Sequence, residues 1–189
     1  MGRKEVYRTG EISRICQVAA RTVCKWIDSG ILRGWRVPDS TDRRVMHKTL
    51  VQFMRDRGMG ELTAAILRRV LFVGLSASEQ VAVCGLESED YLVVAAANGF
   101  DAGVIFAEHN PDTVVIDLSI GRSEGLAIGR RIKAVKPEAA LIALASEDEA
   151  SPWEIGEAGF AGILERPFDV ALLVGMLTLG SKVDMNGKH

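Results

Sequence analysis

After residue 68 two periodicities alternate along the chain, and that alternation restricts the fold more than any other feature. Short apolar runs at 70–73, 91–94, 113–116, 140–144 and 162–164 have the length and β-branched content of buried strands. Amphipathic stretches of helical length follow them at 78–84, 100–109, 124–135, 152–158 and 170–177. Five repeats of strand then helix predict an α/β fold, a doubly wound five-stranded parallel sheet with helices on both faces. A unit of about 110 residues is an ordinary size for one such domain.

Before residue 60 the pattern changes to short helical signals, a polar turn at 38–42 and a helix at 48–57 stopped by Gly58. The spacing therefore predicts a small domain over 1–58, a linker at 59–68, the sheet domain over 69–180 and a tail at 181–189. Within the linker, Leu62, Ala65 and Ile66 share one face of a short helix. Charge divides along the same line. Up to Arg69 the chain has 15 basic and 7 acidic residues, a net of +8; from Val70 onward it has 8 basic and 18 acidic, a net of -10. Such asymmetry points to a basic module for a polyanion and an acidic module for something else. No apolar run approaches the roughly 20 residues of a membrane span, and residues 1–7 lack a signal-peptide core. The expected location is the cytoplasm, with no membrane partner. Cys16, Cys24 and Cys84 lack metal-type spacing and read as buried or half-buried free thiols. His47, His109 and His189 are scattered, so neither metal nor cofactor is expected.

In the basic module Thr9 is a candidate cap for a helix starting at Gly10-Glu11, with Ile12 and Ile15 turned inward. Gln17-Val18 makes a tight connection to a second helix from Ala20 to Asp28, ended near Gly30. Val23, Trp26 and Ile27 form its buried stripe, and Arg21, Thr22 and Lys25 its opposite side. Two short helices of this kind, the second basic near its start, have the geometry that enters a major groove. Arg21 or Lys25 can donate to guanine, and Thr22 can touch a base edge or a phosphate. Leu32 to Val37 alternates as a strand and returns through Arg43-Arg44-Val45. That hairpin brings Arg33, Arg36, Arg43 and Arg44 together for phosphate contacts. Trp26 and Trp35 are read as core.

These residues resemble a known family. Tyr7-Arg8-Thr9-Gly10-Glu11-Ile12, then Arg21 through Leu32, then Arg43-Arg44-Val45 are similar to the excisionase family of winged helix-turn-helix domains, relatives of the MerR regulators. The likeness covers about residues 5–58. It implies that the second helix, through Arg21, Thr22 and Lys25, reads the major groove. It also implies that a wing carrying Arg36, Arg43 and Arg44 grips the adjacent backbone or minor groove. Ala19 departs from the family's Ser or Thr cap.

In the acidic module Asp117 ends the third strand, in the crevice where doubly wound folds bind ligands, and Arg166-Pro167-Phe168 follows the fifth. Asp117 to Gly121, Arg130-Arg131-Ile132, and Glu157 to Gly162 ahead of Arg166-Pro167-Phe168 resemble the receiver domain of response regulators. The resemblance covers about residues 69–180 and implies strand order 2-1-3-4-5, with Asp117 at the phosphoacceptor position. Several positions depart from that family's pattern. The acidic pair that holds magnesium is replaced by Gly74 and Leu75, and the phosphate-sensing Thr or Ser by Ala145, with Ser146 one residue late. Arg166 stands for the usual Lys, and Ile163 for the aromatic switch. Magnesium wants several hard oxygen ligands. Asp117 is therefore expected to be a structural relic beside Arg166, and Glu147-Asp148-Glu149 a solvated loop. Leu172, Leu173, Met176 and Leu177 offer either an association patch or an ordinary core face.

Together these readings lead to a transcriptional regulator bound to double-stranded DNA, an atypical response regulator whose receiver-like domain dimerises or takes a protein partner. Phosphorylation-dependent regulation through Asp117, or an architectural role in recombination, are the alternatives. No His, Cys or Ser constellation accompanies Asp117, so no enzyme activity is expected.

Overall fold

The computed structural model describes residues 5–86, 91–146 and 151–179. The 147–149 loop and the 181–189 tail lie outside them. The chain forms two compact units that divide between Leu67 and Arg68.

In the first unit, β1 (Val6–Arg8), α1 (Thr9–Ile15), α2 (Ala20–Asp28), β2 (Trp35–Arg36), β3 (Arg43–Met46), α3 (His47–Asp56) and α4 (Gly60–Ala64) follow in order. The strands make an antiparallel sheet in the order β1-β3-β2, with Tyr7 opposite Val45 and Trp35 opposite Arg44. Ile12, Val23, Leu32, Val45, Leu50 and Met54 are fully buried at its centre. The turn between α1 and α2 closes because Gln17 adopts a left-handed conformation and the Ser13 hydroxyl donates to the Val18 carbonyl at 2.8 Å. Trp26 is half-buried against Phe53, ring centroids 5.0 Å apart.

Several expectations fail here for identifiable reasons. Thr9 is the first helical residue and not the cap; the Glu11 carboxylate instead accepts the Arg8 N–H at 2.8 Å. The strand expected from Leu32 shrinks to Trp35–Arg36, because Leu32 turns inward and its N–H donates to the Trp26 carbonyl. Gly34 then passes so close to β3 that a Cβ would stand 2.6 Å from the Arg44 carbonyl oxygen. Trp35 is not core; it is 44% exposed. The 59–68 linker contains the short helix α4 and ends where β4 begins at Arg68. Met59, Leu62 and Ile66 pack on the first unit's core and Thr63 is buried, whereas Ala65 is exposed.

The second unit is a parallel sheet of β4 (Arg68–Val73), β5 (Tyr91–Ala96), β6 (Thr113–Asp117), β7 (Ala140–Ala145) and β8 (Gly162–Glu165). Its order is β5-β4-β6-β7-β8, the expected 2-1-3-4-5. The helices are α5 (Ala77–Cys84), α6 (Gly99–His109), α7 (Arg122–Val135), α8 (Pro152–Glu157) and α9 (Val170–Leu179), with a 3-10 turn at Leu118–Ile120. Successive strand residues face opposite sides, so the apolar runs feed two cores. Leu71, Val73, Val114, Ile116 and Leu141 join Leu126, Ile132 and Phe160 on one side. Val70, Phe72, Val115, Ile142 and Leu164 join Val83, Leu173 and Leu177 on the other. Of the two readings of α9, the core face holds for Leu173 and Leu177, with Met176 packed beside them, whereas Leu172 is 57% exposed. Cys84 is exposed and not half-buried. Among the described residues no helix is long and apolar enough to cross a membrane.

Candidate functional site

The C-terminal ends of the parallel strands form a rim, and three charged side chains meet there. Asp117, the last residue of β6, is 1% exposed. Arg166, just beyond β8, donates from Nη1 to Asp117 Oδ1 at 2.8 Å and from Nη2 to Oδ2 at 2.5 Å. The backbone N–H of Ser119 also donates to Oδ1, at 2.8 Å. Arg166 reaches a second carboxylate as well: Nε donates to Glu79 Oε1 at 2.7 Å and Nη2 to Oε2 at 3.3 Å.

Glu79 is aimed by its own helix start. Ser76 caps α5, and its N–H and hydroxyl donate to Glu79 Oε2 at 2.9 and 2.6 Å, a capping box. Arg166 holds the Glu79 carboxyl down at about 2, against an ordinary 4.5, with Ser76 assisting and burial opposing. The two carboxylates in turn push the Arg166 guanidinium up. A group whose folded value is depressed contributes stability above its unfolded value and loses it as pH falls. Glu79 therefore contributes in full above pH 4.5, and its contribution fades as the pH falls from there toward 2. In thermal melts across this range, Glu79→Gln should lie below the wild type above pH 4.5, and the gap should narrow with acid. A gap constant with pH would contradict this account.

Around the triad, Ala145 ends β7 with a methyl group, and its carbonyl accepts the Arg166 N–H at 3.1 Å. Arg166-Pro167 is a cis peptide. Gly74 has φ +84°, and a Cβ there would press on Ile120 and stand 3.2 Å from Asp117 Cβ. Leu75 is buried in the core and Ile163 is half-buried.

Such a rim over such a sheet invites comparison with known proteins. Residues 77–178 match the family described as the response regulator receiver domain. The chain belongs to that family. The receiver unit is similar to a protein-glutamate methylesterase/protein-glutamine glutaminase of Geobacter metallireducens, 34% identical over 105 residues, covering 52% of this chain and 30% of the relative. Response regulator MprA of Mycobacterium sp. strain KMS is 28% identical over 93 residues, covering 49% of this chain and 40% of the relative. The chain thus spans well under half the length of either relative. A response regulator from Thermotoga maritima shares the fold with a TM-score of 0.56 at 22% identity, covering 61% of this chain and 98% of that one.

Receivers that use magnesium hold it with acidic side chains after the first strand, and this rim does not fit the ion. Gly74 and Leu75 offer no carboxylate, and both oxygens of Asp117 already accept hydrogen bonds from Arg166. Among the described residues no three His, Cys, Asp or Glu side chains converge to hold a metal. Near-octahedral oxygen coordination has no ligand set here.

In the first unit, α2 presents Arg21 and Lys25 to solvent, with Thr22 half-buried beside them. Among the described residues the side chains of Arg21, Lys25 and Arg33 have no hydrogen-bond or ion-pair partner. The hairpin arginines differ. Arg43 donates from Nε and Nη2 to the Asp28 carboxylate at 3.0 and 2.7 Å, and from Nη1 to the Thr41 carbonyl at 3.2 Å. Arg36 reaches the same carboxylate at 3.4 Å. Arg44 donates to the Arg43 carbonyl at 3.2 Å and to Asp42 at 3.0 Å. Arg43 holds the Asp28 carboxyl below its ordinary value. Asp28 thus fastens the hairpin to the end of α2, and Arg43 positions that hairpin more than it faces outward. Asp28 and Glu79 are the site residues that sequence reasoning missed. The signal available for Glu79 was the Ser76-x-x-Glu79 capping box.

Proposed function

We propose that this chain is a cytoplasmic DNA-binding transcriptional regulator. In this reading the first unit is a winged helix-turn-helix of excisionase or MerR type, and the receiver unit acts by dimerisation or by taking a protein partner. The observation that carries it is the pairing of two exposed, unpartnered cations on α2, Arg21 and Lys25, with a hairpin tied to the same helix at Asp28. A rigid helix-plus-wing body is what reading a groove requires. Arg21 and Lys25 donate to base edges, Thr22 to a base or phosphate, and Arg33, Arg36 and Arg44 to the backbone. No catalytic step is assigned to the chain. For association, α8 exposes Trp153 (74%) and α9 exposes Leu172.

Dimerisation would set two reading heads at a fixed spacing and match operator symmetry. A second reading, regulation by phosphorylation of Asp117, draws on that residue's place at the end of β6. Against it stand the two carboxylate oxygens already bonded to Arg166.

The test is selection of genomic fragments by the purified protein beside an Arg21→Ala/Lys25→Ala variant. One repeated or palindromic motif should be enriched, and the variant should bind it about 100-fold more weakly, at roughly 1–3 kcal/mol per base contact. Binding without preference, lost equally with salt in both proteins, would reduce the first unit to an electrostatic anchor.

A further inference from the structure

The guanidinium of Arg166 lies between two carboxylates that come from different elements, Asp117 at the end of β6 and Glu79 in the first turn of α5. We infer that Arg166 is a built-in counter-ion that takes the place of a divalent cation at the receiver rim and closes Asp117 and Glu79 into a permanent, metal-independent latch. This inference rests on the reading that the receiver unit works without aspartyl phosphate, and it names the physical device that makes it so.

Three observations carry it. Both oxygens of Asp117 are occupied, Oδ1 by Arg166 and the Ser119 N–H, and Oδ2 by Arg166, so neither is free to attack an incoming phosphoryl group. Glu79 is not a passing surface charge, because Ser76 holds its carboxylate toward Arg166 with two hydrogen bonds. The two positions that would strengthen a metal site are excluded sterically as well as chemically. Gly74 has no room for a Cβ beside Ile120, and Leu75 is buried in the opposite core. A guanidinium stays charged at any pH at which the unit folds, and its planar fork matches carboxylates bidentately. Being tethered to β8, it cannot dissociate as a hydrated ion does. It also joins chain segments 87 and 49 residues apart, so the latch clamps α5, β6 and β8 at one point.

The test uses the full chain, melted across millimolar magnesium chloride, with Arg166→Ala and Arg166→Lys beside it. The wild-type Tm should not move with magnesium. Arg166→Ala should melt about 10 °C lower, the shift expected for a buried carboxylate stripped of its partner. Arg166→Lys, whose compact ammonium cannot fork to two carboxylates, should fall between and remains informative if the alanine variant does not fold. A wild-type Tm that climbs with magnesium, or an unchanged Tm in both variants, overturns the latch. Intact-mass analysis after treatment with acetyl phosphate and magnesium separates this inference from the reading beneath it. Phosphorylated Asp117 overturns both, because a carboxylate that Arg166 holds permanently through both oxygens cannot take a phosphoryl group. A magnesium shift without labelling overturns the counter-ion and leaves that reading intact.

Discussion

A Gly74→Asp variant is expected to lose about 3–5 kcal/mol of stability and to gain no magnesium site, although it returns an acid to a position where the family commonly has one. Two costs combine. Gly74 has φ +84°, where an L side chain is strained by roughly 1–2 kcal/mol. Its Cβ would also press on Ile120 and crowd Asp117 in a rim with no slack, and overpacking of this kind costs about 1–3 kcal/mol. The new carboxylate would add a third negative charge beside Asp117 and Glu79, with one guanidinium to serve them all. Gly74→Ala separates the steric part and should retain most of the loss. Urea denaturation of both variants checks the magnitude. A Gly74→Asp protein as stable as the wild type, with a Tm that rises in magnesium, would show that this packing account is wrong.

The second large effect is an asymmetry between two halves of one ion pair. Arg166→Met should cost about 3–5 kcal/mol, because Asp117 is then a buried charge with no cation. Asp117→Asn should cost less, since Arg166 keeps Glu79, which lies nearer the surface. Combining the two changes removes both charges. Replacing a buried pair by uncharged groups is often close to neutral, so the double variant should be clearly more stable than Arg166→Met alone. A double-mutant cycle by urea denaturation measures the coupling; losses that simply add would mean that the contact does not stabilise the rim.

The residues of this rim differ in how visible they are in the sequence. The strands were legible because each is an uninterrupted apolar run, and Gly74, Leu75, Ala145 and Ile163 stood out against a known pattern. Strand order came from the resemblance, since periodicity says nothing about which strands are neighbours. Glu79 escaped notice because its partner is 87 residues away, and proximity at that range is a property of the sheet. Asp28 escaped for the same reason, lying on α2 while Arg43 lies across the hairpin. Trp35 was misplaced because an aromatic in an alternating strand usually packs inward. Here β2 keeps only two residues in the ladder, and the indole is left 44% exposed. Thr9 lost the capping role to a carboxylate three residues on from Arg8, a competition that composition does not decide.

The Asp117–Arg166 contact also has a meaning in time. Protein chains are made from the N-terminus, so Asp117 is synthesised 49 residues before the cation that neutralises it. Until β8 emerges, closing the rim would trap a bare carboxylate in an apolar setting, and that cost keeps the carboxylate in water. A chain that stops between the two residues lacks the cation that closes this edge over Asp117.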